Sequence, residues 1–291
     1  MTALTQRAAL GLVVGVIAAA AVAMYVARKS ERNRLADKRP PAVALEQRQP
    51  PPRTHEWRLW PRPAELPPHW VVANLTPDVS LERRLAEIGP NARLRLAERF
   101  AASGVAPSPA EVALVAVKDE GKLELFARVA KGAPWRLVHA YPVLAQSGVL
   151  GPKLRQGDHQ VPEGSYRISF LNANSLYHVS MRLDYPNRFD REMAARDRRT
   201  NLGGDIMIHG KALSVGCLAV GDLAAEELFV LAADVGIRNV EVLVVPTDFS
   251  RGRLVPESLP ESQRASLPAA PPWLPVLYRD LSRRLAEYRP G

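Results

Sequence analysis

The chain has one cysteine, Cys217, among its 291 residues. It holds no internal disulfide, and one thiolate cannot build a structural zinc site. The six histidines (His55, His69, His139, His159, His178 and His209) show no H-x-x-x-H spacing, which removes a helical zinc site as well. Neither G-x-G-x-x-G nor a P-loop occurs, so nucleotide use has no support. Asp184, Asp190 and Asp205 are scattered and read as solvated loop or turn residues. No metal and no cofactor is expected, and no internal repeat is visible.

The formal charge of +9 suggests nucleic acid until it is located along the chain. Residues 28–62 carry 10 basic and 4 acidic residues, whereas residues 63–291 carry 28 basic and 26 acidic. The folded part is nearly neutral. The basic stretch is expected to meet lipid head groups or water rather than a phosphate backbone, so nucleic acid is not an expected partner.

What the chain does have begins with an apolar run of 20 residues, Ala8 to Ala27, between Arg7 and the group Arg28, Lys29, Arg32 and Arg34. Twenty residues at helical rise cross a hydrocarbon core of about 30 Å. Residues 1–27 therefore read as an uncleaved membrane anchor, with a cleaved signal segment as the alternative. Ala21-Val22-Ala23 and Tyr25-Val26-Ala27 resemble weak cleavage sites, but the run is longer than the usual signal core. Basic residues after the span would by themselves hold the remainder in the cytoplasm.

Residues 28–70 are rich in Pro and Arg and read as an extended linker. Residues 71–110 form a helical lead-in. Leu81, Leu85 and Ile88 mark one short helix, and Leu94, Ala97, Phe100 and Ala101 a second after a Gly89-Pro90 break. The period then falls to about two. Val112–Lys118, Lys122–Val129 and Trp135–Val143 are expected strands, with Asp119-Glu120-Gly121 as a hairpin turn.

In Ser165–Phe170 the alternation puts Tyr166, Ile168 and Phe170 on one face. In Tyr177–Leu183 it puts Tyr177, Val179, Met181 and Leu183 on one side and His178, Ser180 and Arg182 on the other. Residues 205–209 should be a strand ending in His209. Asp222 reads as the N-cap of a helix to about Val235, and Val240–Val245 as a buried strand. A Pro-rich stretch leads to a last amphipathic helix with Leu277, Leu281, Leu285 and Tyr288 on one stripe, within a segment 249–291. The expected fold is mainly β (α+β), with one domain over residues 111–248 and helices at both ends.

Cys217 sits eight positions after His209 in Ile208-His209-Gly210-Lys211-Ala212-Leu213-Ser214-Val215-Gly216-Cys217. A free cysteine is more often a buried packing residue, but such a residue needs no glycines around it. An imidazole that takes the thiol proton yields the thiolate–imidazolium pair of cysteine acyl transfer. Gly210 and Gly216 allow close approach of the backbone to a substrate, and the N–H groups of Gly216 and Cys217 are candidate oxyanion donors.

The motif His-Gly-x-x-x-Ser-x-Gly-Cys at 209–217 resembles the active-site loop of the L,D-transpeptidase (YkuD-type) catalytic domain, in its short-loop YafK-like form. Three upstream segments agree in order. They are Gly151–Asp158 with Val161–Tyr166, then Asn174–Ser180, then Leu183–Arg191. The resemblance covers roughly 112–248 and implies a β-sandwich or barrel with flanking helices. It implies that Cys217 is the nucleophile and His209 the general base. Ser214 and Gly216 would shape the pocket, while His178 and Tyr177 would lie along the substrate cleft.

The implied substrate is the peptidoglycan stem peptide, attacked at the carbonyl of its diaminopimelate residue to form a thioester. Peptidoglycan lies outside the inner membrane, so the domain is expected in the periplasm despite the charge bias. The chain departs from longer-loop members at Val215, where they carry a second histidine, and at Leu218-Ala219-Val220, where they usually have Arg or Asn. His159 also stands where the family often has Gly.

Three readings follow. The first is a membrane-tethered acyltransferase that crosslinks stem peptides or attaches a protein to them. The second is an amidase or hydrolase with the same thioester, releasing a wall-linked lipoprotein. The third is a non-catalytic peptidoglycan-binding scaffold, against which the intact His209 and Cys217 argue.

Overall fold

The computed structural model describes residues 79–251 and 270–289. The apolar run at 8–27 and the Pro/Arg-rich linker lie outside the described residues. Among the described residues, no helix is long and apolar enough to cross a membrane.

Alternation along the first strand sets the layering. In β1 (Glu111–Val117), Val112, Leu114 and Ala116 face one apolar cluster while Ala113, Val115 and Val117 face another. A strand buried on both sides reads as a continuous apolar run, as this one does. It pairs antiparallel with β2 (Lys122–Arg128), which pairs antiparallel with β3 (Arg136–Pro142). Next come β4 (Ala145–Gln146), β5 (Gly164–Asn172), β6 (Ser180–Leu183), β7 (Met207–His209), β8 (Leu218–Ala219) and β9 (Val240–Val245).

All nine form one mixed sheet in the order β3-β2-β1-β9-β5-β6-β7-β8-β4. The expected sandwich or barrel takes the form of one continuous mixed sheet, a half-barrel with flanking helices, and the α+β class holds. Strand β5 joins the two halves, pairing with β9 through Gly164–Arg167 and with β6 through Ile168–Asn172.

Helix α1 (Leu81–Ser103) and helix α3 (Asp222–Val235) cover one face, and α4 (Leu274–Tyr288) covers the other; α2 (Arg188–Arg196) follows β6. The lead-in is one helix, not two, and it runs through Pro90. Proline costs a backbone hydrogen bond there. Burial of Ile88, Ala92, Leu96 and Phe100 at i,i+4 spacing carries the helix across that loss. The predicted face was also rotated, since Leu94 is 66% exposed. In α4, Leu277, Leu281, Leu285 and Tyr288 are buried as the sequence predicts.

Two further expectations change. A register shift between Ile168 and Phe170 turns Phe170 outward to 57% exposure while Tyr166 and Ile168 stay buried. Asp190 is not solvated. Its carboxylate accepts from the Asn187 N–H in a capping box at α2 and lies near the Tyr166 hydroxyl, and burial pushes its pKa up to about 6.

Two buried polar clusters tie helices to the sheet. The Lys118 ammonium donates to the carbonyls of Val149, Gly151 and Val161, each at 3.0 Å, and to Glu163 Oε1 at 2.9 Å. Glu163 also accepts from Gly151 N at 2.7 Å and from the Tyr278 hydroxyl of α4 at 2.8 Å. On the other face, Glu227 of α3 accepts from Arg95 and Arg99 of α1 and from Tyr141 of β3. Burial works against its charge, but Arg99, Tyr141 and Arg95 together hold the carboxyl below its ordinary range.

Neutralising one member of a buried ion pair leaves the other charge uncompensated. Glu163→Gln should lower unfolding free energy by about 3–5 kcal/mol in urea titration. Tyr278→Phe, which removes one donor to that carboxylate, should cost about 1.5–3 kcal/mol. A neutral Glu163→Gln would remove this pair from the interactions that hold the fold.

Candidate active site

Strands β7 and β8 run parallel, with Ile208 opposite Leu218 and His209 opposite Ala219. Continuing that register by one residue places Cys217 opposite Met207. His209 then lies one strand across and two residues along, roughly 8 Å between Cα positions by strand spacing and rise. Ile208 and Leu218 are fully buried in the core cluster, so the pleat directs His209 and Cys217 to the opposite side together. The predicted strand end at His209 is therefore present, and the sheet brings the predicted pair to neighbouring positions.

His209 is 2% exposed, and its Nδ1 lies 2.7 Å from the carbonyl oxygen of Gly210. A carbonyl only accepts, so Nδ1 carries the proton and Nε2 is left with a free lone pair. The Tyr177 ring lies against the imidazole with centroids 4.5 Å apart. Burial lowers the pKa of His209 and so disfavours imidazolium, with the Gly210 carbonyl opposing in part.

Cys217 Sγ lies 3.6 Å from the Asp205 carbonyl oxygen, to which the thiol donates. Burial raises its pKa, the Met207 backbone N–H works the other way, Asp205 adds to the rise, and the Lys153 ammonium lowers it. Both shifts favour the neutral thiol and imidazole over the expected thiolate–imidazolium pair.

The loop between them is fixed at several points. Gly210 is required by close approach, since a Cβ there would sit 2.5 Å from Asp222 Oδ1 and 2.7 Å from the Tyr177 carbonyl oxygen. Asp222 is not an N-cap. It is the first residue of α3, Gly221 takes the cap position, and the Asp222 carboxylate accepts from Lys211 N at 2.7 Å. Ser214 Oγ accepts from Cys217 N at 3.0 Å and donates to the Cys217 carbonyl at 2.6 Å.

The two candidate oxyanion donors already have partners. Gly216 N donates to Ser147 Oγ at 2.6 Å, and Cys217 N to Ser214 Oγ. Ser147 also donates to the His159 carbonyl at 2.8 Å, which clips the cysteine loop to the segment before β5. Nothing in the sequence around Ser147 signals that contact. His159 has φ +57°, the left-handed region that favours glycine, which accounts for a Gly-like position in the family pattern.

Tyr177 and His178 precede β6 rather than lying in it, and Ser180, predicted outward, is 1% exposed. His178, at φ +77°, places Nε2 2.9 Å from Glu226 Oε1 of α3, and Glu226 in turn accepts from Arg95 at 2.6 Å. Its ring is thus anchored to α3. Among the described residues no group of three or more His, Cys, Asp and Glu is placed to hold a metal ion.

No family model matches the chain. A stretch of 134 residues, 44% of this chain and 51% of the relative, is 32% identical to the Escherichia coli K12 protein named "Putative L,D-transpeptidase YafK". The same figures hold for the protein of that name from Escherichia coli O157:H7. The chain spans about half the length of the curated relatives it matches. Among solved structures, the helical cell shape determining protein Pgp2 from Campylobacter jejuni is similar at 20% identity and TM-score 0.38, over 53% of this chain and 56% of that one. Mycobacterium tuberculosis L,D-transpeptidase 1 is similar at 15% identity and TM-score 0.27, over 46% and 62%. Structural likeness at that level carries no conclusion. The sequence match does: this chain carries a region related to the L,D-transpeptidases, of the kind represented by YafK.

Proposed function

We propose that the chain is a periplasmic cysteine acyltransferase acting on peptidoglycan stem peptides, with Cys217 as nucleophile and His209 as general base. The observation that carries this reading is the Nδ1 bond from His209 to the Gly210 carbonyl, which leaves Nε2 as acceptor one strand away from the thiol. Residues 8–27 are its expected inner-membrane tether, on the sequence reading alone.

In the proposed reaction, the Cys217 thiol hydrogen turns from the Asp205 carbonyl and passes to His209 Nε2 as Sγ attacks the diaminopimelate carbonyl. The oxyanion takes the N–H of Gly216 or Cys217, displacing a serine hydroxyl. The C–N bond then breaks, the leaving amine takes the proton from the imidazolium, and a thioester remains. An incoming amine or water loses a proton to His209 and attacks the thioester, which returns the thiol. Since both shifts favour the neutral pair, the proposed route couples deprotonation to attack.

Purified sacculi incubated with the full chain and analysed by muropeptide mass spectrometry should show new crosslinks or attached protein. Released stem-bound protein without new bonds would make it the hydrolase. Unchanged muropeptides would leave the scaffold reading. Cys217→Ala should abolish turnover with the fold intact by circular dichroism, and residual turnover would sink the acyl-enzyme route. His209→Ala should lower kcat/KM by about 10²–10⁴.

The pH profile follows from the direction of the two shifts. A base whose pKa is lowered stays unprotonated to lower pH, so the acid limb of kcat/KM should be centred below the ordinary histidine value of 6.5. The raised thiol pKa puts any alkaline change above 9.0. A limb rising through pH 8–9 would mean that free thiolate is the reacting form.

A further inference from the structure

Beside the cysteine loop lies a cavity of about 760 Å³ that the acyl-transfer steps do not use. Val149, Leu154, Arg155, Asp158, His159 and Arg199 are on its wall. Its wall meets the residue before the nucleophile. A Cβ on Gly216 would be 3.5 Å from the Gln160 carbonyl oxygen and 3.9 Å from His159 C. The Lys153 ammonium, which holds this same wall, is felt electrostatically by Cys217.

The charges on the wall do not balance. Lys153 is bound to Asp158 at 2.5 Å and to the Arg155 carbonyl at 2.9 Å. Asp158 also accepts from the backbone N–H groups of Leu154, Arg155 and Gln160, so its charge is fully engaged. Arg199 is taken up by Asp197 and the Leu154 carbonyl, with its guanidinium over the Trp273 ring. The Arg155 guanidinium alone has no partner among the described residues. The cavity therefore carries one exposed planar cation, Arg155, on a wall whose His159 and Gln160 backbone packs against Gly216, the residue before the nucleophile. That is the chemistry of carboxylate capture, since a guanidinium fork matches two carboxylate oxygens.

We infer that this cavity is the subsite for a free carboxylate of the acyl-donor peptide, held by Arg155 while Cys217 attacks a neighbouring carbonyl. The inference rests on the peptide reading proposed above. Two carboxylates of a stem peptide have this chemistry: the one on the diaminopimelate side chain and the one at the C-terminus. Binding the carboxylate in the cavity would orient the peptide without touching the reacting bond, which makes Arg155 a specificity residue.

Binding measured without turnover separates the two ideas. Isothermal titration of the full chain carrying Cys217→Ala would use a stem tetrapeptide and its analogues amidated at the side chain or at the C-terminus. One amidation should weaken binding at least tenfold and the other less than twofold, which identifies the carboxylate. In the Cys217→Ala, Arg155→Gln protein that preference should fall below twofold, with the amidated peptide bound as before. Equal binding of all three peptides, no measurable binding, or an undiminished preference without Arg155 would each overturn the subsite. Thioester formation by wild-type protein on the same peptides tests the catalytic reading independently.

Discussion

The ammonium of Lys118 is the interaction on which the geometry around Cys217 depends. Lys118 directly follows strand β1, is almost fully buried, and gathers three backbone carbonyls of the 149–161 segment together with Glu163. That segment has almost no regular structure of its own, so its carbonyls have no strand partners to satisfy them. One buried cation does what a ladder would otherwise do. Through Glu163 the same cluster reaches Tyr278, so the helix covering the far face of the sheet is tied to the wall beside the cysteine loop. The fold thus couples its outer layers to the site by charge where the chain is irregular, and by apolar packing where it is not.

The electrostatics around Cys217 and His209 run against the simplest picture of an activated thiolate. Both groups are buried enough that the surroundings disfavour charge on either, and among the described residues no cation is hydrogen-bonded to the sulfur. What the site provides instead is orientation. The tautomer of His209 is set by one carbonyl, its ring is held by Tyr177, and the cysteine backbone is pinned through Ser214. In the proposed reaction, a pair kept in register in this way would transfer its proton as the substrate carbonyl is attacked.

Strands β1 and β9 are legible because burial on both faces leaves a nearly continuous apolar run, and β2 and β3 because an alternating pattern flanks a turn. His209 at a strand end is legible too, because the apolar run Ile206-Met207-Ile208 stops at it. The differences have local causes. Pro90 reads as a break in the sequence, yet tertiary packing outweighs one lost hydrogen bond, and Phe170 reads as inward because a bulge leaves no mark in a short alternation. For Asp190 and Asp222 residue type is a poor guide, since their partners come from the fold. Ser147, Glu226 and the Lys118–Glu163 pair could not be found from the sequence, since each depends on chain segments far apart that only the sheet order brings together.

The parallel pairing of β7 with β8 has one more consequence. Parallel neighbours usually need a crossover of a dozen or more residues, yet here Gly210–Cys217 suffices because the strands are only two or three residues long. The spacing between Cys217 and His209 is therefore a property of the sheet, while the loop merely returns the chain from one strand to the next. Such a loop is free to lengthen or shorten without altering that distance. Its length then sets how open the approach to the thiol is, while the two side chains stay in register.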